Sequence, residues 1–407
     1  MIGRSGAGKT TLINFFANLF HDKSYDSERL ISITQCFEFR DLKGEPIKIR
    51  LESNLKDQNS QDCSHPQKCK IYTFEKDDLV LSLIDTPGLG DTCGIKQDKE
   101  SMAHILNGIQ QVTAFNAICL VHKGSDAMAD NKFRYLINEI KGMLTKECRN
   151  CFILCFTSVT NKFKIEAIPA LKSMGVPTDR TVYFENDCLI PPNKLPTPDD
   201  SAKAFWTSNK KNYEQVIEFA RFMIPKKTNE INDLSSNKSI LTQLVQEVAL
   251  NVELVKIEKK YIESNTMKLQ SLLKEIEINK ESPTMSYYIS TMKLHIEMQQ
   301  TDLKKRKIVI HRSYREIVHI YMKIQEKSLQ PANEYFLDYL DDRESALRLN
   351  NDISNAEVQT MFQEIEHSRQ EYLLMNDVVA KAISSSQNLT RNEIEELEIR
   401  MRTIGHE

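Results

Sequence analysis

The chain has 407 residues, of which 40% are hydrophobic and 27% are charged, and it carries a net charge of −3. A chain of this length can form two or three domains with separate cores, and its near-neutral charge gives no basis for binding nucleic acid. Its apolar runs all fall short of the roughly 18 residues that a transmembrane helix requires, so no transmembrane segment is predicted.

A glycine-rich segment at the start of the chain, Gly3–Thr10, matches the pattern GxxxxGK(S/T) in full. Glycines let the backbone turn tightly enough for successive N–H groups to point at phosphate oxygens, and the helix predicted over Thr11–Phe20 adds its positive end. Lys9 is placed to reach the β- and γ-phosphates of a nucleotide, and the Thr10 hydroxyl to bind Mg²⁺. The predicted phosphate-binding residues in this segment are Gly3, Arg4, Ser5, Gly6, Ala7, Gly8, Lys9, Thr10 and Thr11.

The strand that usually leads into such a loop is largely missing, because only Met1 and Ile2 precede Gly3. A phosphate loop normally follows a central strand of about five or six residues. Without that strand, the backbone groups of both neighbouring strands lose their partners. We therefore expect an incomplete chain, and a genuine start at Met1 predicts weak nucleotide binding.

A second motif follows the apolar strand predicted over Leu79–Ile84, which ends at Asp85 and continues into Thr86–Gly88. A carboxylate at the end of a strand beside the phosphate loop can hold Mg²⁺ through water. Gly88 has no side chain, so its N–H can approach a γ-phosphate closely and Gly88 joins the predicted phosphate-binding set. The alternative is that Asp85 only caps an ordinary turn around Pro87.

The segment before Asp85 distinguishes between classes of P-loop protein. Ile71–Phe74 and the polar turn Glu75–Asp78 lead directly into the Leu79–Ile84 strand, which predicts an antiparallel hairpin. A hairpin at this point is a feature of GTPase-like domains, whereas kinase-like P-loop folds more often have a parallel crossover. The predicted class is therefore a P-loop GTPase-like domain.

Up to about Pro225 the chain alternates apolar runs with amphipathic stretches, the pattern of an α/β doubly wound sheet. The runs are apolar throughout, which predicts strands that are buried on both faces. The predicted strands are Leu79–Ile84, Ala117–Val121, Phe152–Phe156 and Val182–Phe184. The intervening helices are predicted over 102–112, 133–144 and 213–223.

After Pro225 the strand-like runs disappear, and we predict a linker over 226–238 and a helical, coiled-coil-like region over 239–407. An apolar seam with alternating spacings of four and three residues is interrupted only by Lys259 and Thr266. Proline at 283 ends the first helix, and further helices are predicted near 285–329, 333–349, 354–384 and 391–404. The seam is compatible with an intramolecular hairpin and with oligomerisation. Its residues are Leu241, Val245, Val248, Val252, Val255, Ile262, Leu269, Leu273 and Ile276.

The segment Asp85–Thr92 resembles the septin-type GTPase signature, which septins share with the immunity-associated and the chloroplast-translocon GTPases. The continuation Gly94–Asp98 is similar to that of a paraseptin-type branch of this group. The resemblance covers residues 1–225 and rests on the two motifs and the strand order. It implies GTP binding with Mg²⁺, slow hydrolysis and homodimerisation across the nucleotide face.

Base recognition and catalysis depart from the common GTPase pattern. Guanine is usually bound by an aspartate after the next-to-last strand, where this chain has Lys164. The residues predicted to contact the base are Thr157, Asn161 and Asn186. Leu89 stands where many GTPases have a glutamine that orients water, so no residue is identified as the catalyst.

The hydroxyl that usually completes the Mg²⁺ shell also has no clear counterpart. Its candidates are Thr34 and Ser64, both in a long polar stretch. If neither side chain reaches the ion, the ability to distinguish a triphosphate weakens.

The nine cysteines, with no signal peptide before them, predict free thiols in a reducing compartment, the cytoplasm. Cys148 and Cys151 form a CxxC pair, and Cys63 and Cys69 lie near His65. Neither set has the four ligands at the spacing that zinc requires, so no zinc site is predicted.

Three hypotheses on function follow. The first is a septin-like GTP-binding protein that uses Mg²⁺ and binds other proteins, or a second copy, through its G domain or its helical region. The second is a nucleotide-free scaffold that keeps the fold and serves as an interaction module. The third is an ATP-binding P-loop protein.

Overall fold

The computed structural model describes residues 1–40, 46–53, 69–90, 95–124, 130–159, 167–194, 200–278, 283–349 and 355–388. The strands are β1 (Ile2–Gly3), β2 (Gln35–Arg40), β3 (Pro46–Leu51), β4 (Lys70–Lys76), β5 (Leu79–Asp85), β6 (Ala114–Phe115), β7 (Ile118–Lys123), β8 (Phe152–Thr157), β9 (Thr181–Phe184) and β10 (Lys226–Lys227). The helices are α1 (Lys9–Phe20), α2 (Ile95–Gln110), α3 (Asn131–Met143), α4 (Ala167–Ser173), α5 (Asp200–Phe222), α6 (Asn229–Ile278), α7 (Pro283–Lys327), α8 (Phe336–Leu349) and α9 (Asn355–Asn388).

The chain forms two compact units. The first combines Met1–Leu234 with Lys327–Ile365, and the second combines Ser235–Glu326 with Glu366–Glu407. Within the described residues, no helix is both long enough and apolar enough to cross a bilayer. Cys36 is disulfide-bonded, which differs from the free thiols that the sequence predicts. The other described cysteines are free thiols, namely Cys69, Cys119, Cys148, Cys151, Cys155 and Cys188.

The first unit has a parallel sheet with the strand order β1-β7-β8-β9 and helices on both faces, as the sequence predicts. On one face, Phe16 of α1 contacts Phe184 of β9 and Tyr213 of α5, with ring centroids 5.6 Å and 5.1 Å apart. On the other face, Phe133 of α3 lies 4.9 Å from the ring of His122 in β7. All six residues of β8 are buried, which explains its continuous apolar sequence.

The predicted hairpin before Asp85 is confirmed, because β4 and β5 pair in antiparallel register from Lys70–Asp85 to Lys76–Leu79. The prediction that β5 is buried on both faces is wrong. Leu79 is 39% exposed and Val80 is 60% exposed. Strand β5 is therefore only partly buried against the domain core, and it does not lie at the centre of the parallel sheet.

A cavity of about 390 Å³ lies between β5 and β7. Strand β1 pairs with β7 only at Leu120 and Val121, and the Met1 ammonium donates to the Ile84 carbonyl at 2.9 Å. The short β1 thus lies at one end of this cavity between the two strands. The lining includes Leu81, Leu83, Ile118, Cys119, Val216 and Ala220.

We expect five β-branched apolar residues fused before Met1 to raise the midpoint of thermal unfolding by at least about 4 °C, equivalent to roughly 1–2 kcal/mol in a domain of this size. Such a strand would pair with the facing edges of β5 and β7 and fill the cavity. Differential scanning calorimetry would compare it with a five-residue Gly/Ser extension. Equal midpoints for the two extensions would show that the cavity does not accept a strand.

The residues 226–238, predicted as a linker, form β10 and the start of α6, and those up to Leu234 belong to the first unit. Strand β10 pairs in antiparallel register with β6, and the Thr228 hydroxyl donates to the Val112 carbonyl at 2.6 Å. Helix α6 already begins at Asn229, and Ile231 and Leu234 are each 1% exposed. Polar residues around these apolar positions suggested a linker, but the start of α6 packs within the unit.

The predicted single region over 239–407 also differs from the structure, because Lys327–Ile365 belongs to the first unit. The Leu329 amide donates to the Leu144 carbonyl at 2.8 Å, and Tyr339 stacks on Tyr135 with ring centroids 4.2 Å apart. Periodicity indicates that a helix has an apolar face but not which surface that face contacts. The predicted helix over 391–404 lies outside the described residues.

In the second unit, α6 and α7 lie side by side. Arg306 of α7 forms an ion pair with Glu258 of α6 at 2.9 Å and donates to Asn251 at 3.1 Å. The seam begins as predicted, with Leu241, Val245 and Val248 buried, but Leu273 is 38% exposed. Two arrangements were predicted for this seam, an intramolecular hairpin and oligomerisation. The contacts between α6 and α7 show the intramolecular hairpin.

Candidate phosphate and metal site

The glycine-rich segment turns from β1 into α1 through two residues with left-handed backbone conformation. Gly6 has a φ of 74° and Gly8 a φ of 86°, a region that favours glycine. Gly8 is the N-cap of α1 and has no side chain to cap the helix, which begins at Lys9, two residues before the predicted start. The first N–H groups of α1 can therefore donate hydrogen bonds to an anion bound at the loop.

Lys9 is the buried cation of this site, and its side chain is folded over the loop. The residue is 6% exposed, and Nζ donates to the carbonyls of Gly3 at 3.1 Å and Arg4 at 3.0 Å. Burial lowers the pKa of Lys9 to about 8, and the nearby carboxylate of Asp85 offsets part of this effect. An added anion at the loop would stabilise the ammonium form.

Asp85 lies at the end of β5 and is 1% exposed. Burial raises the pKa of the Asp85 carboxyl, while the charge of Lys9 acts in the opposite direction. Its Oδ1 atom is buried and has no hydrogen-bond partner among the described residues. A buried carboxylate oxygen without a partner is costly unless something binds it.

The residues present fit a magnesium ion. Mg²⁺ prefers oxygen ligands and is usually held by one or two protein side chains together with phosphate oxygens and water. Asp85 offers the unpartnered Oδ1, and Thr10 lies at the second position of α1, next to Lys9. The described residues contain no group of three or more His, Cys, Asp or Glu side chains that could hold a metal ion unaided. Phosphate oxygens and water would therefore have to complete the shell.

The segment after Asp85 runs along the phosphate loop. The Ser5 amide donates to the Leu89 carbonyl at 2.9 Å, and the Leu89 amide donates to the Gly3 carbonyl at 3.2 Å. A Cβ atom on Gly88 would lie 2.6 Å from the Ser5 Cα, so only glycine fits at this position. The Leu89 side chain is fully buried, which gives it a packing role and keeps it away from any attacking water.

The residues predicted to contact the base reach the loop from the ends of β8 and β9. The Thr157 hydroxyl donates to the Ala7 carbonyl at 2.7 Å. A Cβ atom on Gly8 would lie 2.4 Å from the Asn186 Nδ2 atom, and Asn186 Oδ1 is buried without a partner in the described part of the chain. Asn161, Lys164 and Ser64 lie outside the described residues.

Two other predicted residues are engaged with neighbouring groups. The Thr34 hydroxyl accepts a hydrogen bond from the Ser53 amide at 3.1 Å, so it joins two backbone segments. The Thr11 hydroxyl accepts a hydrogen bond from the Gln35 side chain. These contacts describe a structural role for both threonines.

The structure adds Glu185, which is not among the residues predicted from the sequence. Glu185 is 5% exposed, and its Oε2 atom is buried without a partner among the described atoms. Burial, together with the charge of Asp187, raises the pKa of the Glu185 carboxyl. Asn209 fixes the backbone of Glu185 through two hydrogen bonds, of 3.1 Å and 2.8 Å. The available signal in the sequence was a glutamate directly before Asn186 at the end of a strand.

Together, the loop, the antiparallel hairpin ending in Asp85 and the parallel sheet define a P-loop GTPase-like domain. No protein-family model matches the chain, and no curated protein matches it either.

Similar solved structures include three of Toc33 from Arabidopsis thaliana. The complex with GDP and Mg²⁺ has a TM-score of 0.32 and 13% identity, covering 54% of this chain and 81% of that chain. A dimerization-deficient mutant has a TM-score of 0.34 and 12% identity, with coverages of 54% and 82%. The complex with Mg²⁺ and GMPPNP has a TM-score of 0.28 and 15% identity, with coverages of 52% and 83%.

Proposed function

We propose that this chain is a septin-like GTP-binding protein that holds GTP and Mg²⁺ at the Gly3–Thr10 loop. The observation that carries the proposal is the buried pair of Lys9 and Asp85 at the uncapped start of α1. Burying two opposite charges is costly unless each gains further partners. Phosphate oxygens on Lys9, and a metal ion on Asp85 Oδ1, would supply those partners.

A preference for guanine over adenine is proposed from Glu185 and Asn186. Guanine presents two N–H donors on its Watson–Crick edge, at N1 and N2, whereas adenine has an acceptor at N1. A carboxylate is an acceptor-only group that can receive two donors. The unpartnered oxygens Glu185 Oε2 and Asn186 Oδ1 therefore suit guanine.

Hydrolysis is proposed to be slow, since the buried Leu89 cannot orient water. In this proposal two G domains pair across the nucleotide face, and a second copy supplies any group that speeds hydrolysis. The helical region binds other proteins. Mg²⁺, when bound, would neutralise charge on the phosphates, while Lys9 and the α1 N-terminus orient them.

Isothermal titration calorimetry tests the proposal. We expect the chain to bind GTP with micromolar or tighter affinity in the presence of Mg²⁺, more weakly with EDTA, and to prefer GTP to ATP. Glu185→Gln should lower GTP affinity about tenfold or more, because an amide donor would then face the donors of guanine. Glu214→Gln, an exposed position in α5, is the matched control.

The possible results distinguish the three functional hypotheses. No heat with any guanine nucleotide would refute GTP binding and favour the nucleotide-free scaffold. The close contact between Gly88 and Ser5 is the observation that supports that alternative. Equal or tighter binding of ATP would instead favour an ATP-binding protein.

A further inference from the structure

One buried carboxylate joins the segment that follows Asp85 to helix α8. Asp98 of α2 is 1% exposed. Its Oδ1 atom accepts a hydrogen bond from the Gly90 amide at 2.8 Å, and its Oδ2 atom accepts one from the Tyr339 hydroxyl at 2.8 Å. Each oxygen of this side chain thus has one donor, and the two donors lie 249 residues apart along the chain.

Tyr339 is held so that its hydroxyl can reach Asp98. The side chain is fully buried, and its ring is parallel to that of Tyr135 in α3, with an interplanar angle of 3°. Just before α8, the Asn333 side chain donates to the Tyr135 carbonyl at 3.0 Å and to the Glu139 carboxylate at 2.7 Å. The docking of α8 therefore depends on α3 as well as on Asp98.

The other end of this arrangement is the phosphate loop. Gly90 follows Leu89, whose amide and carbonyl are bonded to Gly3 and Ser5 of the loop. A Cβ atom on Gly90 would lie 2.7 Å from Lys132 Cε and 2.8 Å from Leu136 Cδ1, so Gly90 lies directly against α3. Any displacement of the Gly88–Gly90 segment would therefore change the hydrogen bond to Asp98.

We propose that Asp98 and Tyr339 are positioning residues for Gly88–Gly90, and that binding of a nucleoside triphosphate at the loop is coupled to the docking of α8. The inference rests on the proposed function together with the contact that the sequence predicts between the Gly88 amide and the terminal phosphate of that nucleotide. A diphosphate lacks that phosphate and leaves Gly88–Gly90 in contact with Ser5. Asp98 then links the position of Gly88–Gly90 to the docking of α8, because a buried carboxylate oxygen that loses its donor is destabilised.

Coupling between two sites is reciprocal. If the triphosphate changes the docking equilibrium of α8 by some factor, then the docked and undocked forms of the chain must differ in triphosphate affinity by that same factor. The affinity for the diphosphate changes less, since the diphosphate does not contact Gly88. The ratio of the two affinities is therefore the informative quantity.

Tyr339→Phe tests this coupling, because it removes the hydroxyl and keeps the stacked ring. We expect the ratio of GTPγS to GDP affinity, measured by calorimetry, to change by about fivefold or more. The control is Tyr335→Phe, which removes a hydroxyl four residues earlier and keeps the ring contact with Arg134. The control should leave the ratio unchanged.

Hydrogen exchange on the native chain provides a second measurement that needs no variant. Amides of Phe336–Leu349 should exchange at different rates with GTPγS and with GDP, and Tyr339→Phe should abolish that difference. If the native chain binds both nucleotides but exchange in α8 is identical, the coupling is refuted while GTP binding stands. If the native chain binds neither nucleotide, both the proposed function and the coupling fail.

Discussion

Lys9→Ala is expected to lower the affinity for GTP and Mg²⁺ by at least about 100-fold, equivalent to roughly 2.7 kcal/mol. Lys9 lies at the first position of α1, is 6% exposed and interacts with Asp85. In this low-dielectric position its ammonium group stabilises phosphate charge more strongly than an exposed lysine would. Calorimetry with GTP is the measurement, and Lys203→Ala, an exposed lysine of α5, is the control.

The pH dependence of binding gives the Lys9 prediction a second readout. Burial holds the pKa of Lys9 at about 8 in the protein alone, and bound phosphates would raise it. The protein alone then loses this proton as the pH rises through 8, while the complex keeps it. GTP affinity should therefore be level below pH 8 and decline above it.

Lys9→Ala should remove this decline above pH 8. Unchanged GTP affinity in the variant, with the native fold retained by circular dichroism, would contradict the proposed role of the loop. Loss of binding together with loss of the native spectrum would instead be a folding effect, which Lys9→Arg, retaining a positive charge, would help to separate.

The parts of the site that could be predicted from sequence are those in which neighbours in sequence are neighbours in space. The loop from Gly3 to Thr10 has one backbone conformation because its glycines and the following helix determine it locally. The hairpin before Asp85 was equally predictable, since a polar turn joins two β-rich runs. Parallel strands then bring their carboxyl ends to one edge of the sheet, which placed Thr157 and Asn186 beside the loop.

The parts that could not be predicted depend on contacts between distant segments. Nothing in the spacing around Tyr339 indicates that its hydroxyl binds Asp98, 241 residues earlier. The apolar face of α8 has the same periodicity whether it packs on a second helix or on α3. For the same reason the linker predicted over 226–238 was assigned to the wrong structural class, although Ile231 and Leu234 carried the apolar signal.

Glu185 illustrates a different limit of sequence analysis. A glutamate after a strand is most often a solvated residue, and burial cannot be inferred from its neighbours in sequence. Only the fold shows that its Oε2 atom is buried without a described partner and that Asn209 fixes its backbone. The selectivity proposed for guanine thus depends on tertiary structure, whereas phosphate binding depends on a local motif.

Gly3→Ala is expected to lower the free energy of unfolding by about 3 kcal/mol or more. A Cβ atom on Gly3 would lie 2.1 Å from the Val121 carbonyl oxygen and 3.1 Å from its carbonyl carbon. Both are backbone atoms of β7, so relief requires β1 to separate from β7, and Gly3 also provides a carbonyl to Lys9.

The matched control is Gly175→Ala. Gly175 has a φ of 72° and no described atom within 4 Å of the added Cβ, so only backbone strain of about 1 kcal/mol should result. Urea unfolding followed by circular dichroism would measure both variants. Equal losses in the two variants would show that the short β1 does not anchor the loop to the sheet. A much larger loss for Gly3→Ala would show that the pairing of β1 with β7 holds the loop to the sheet.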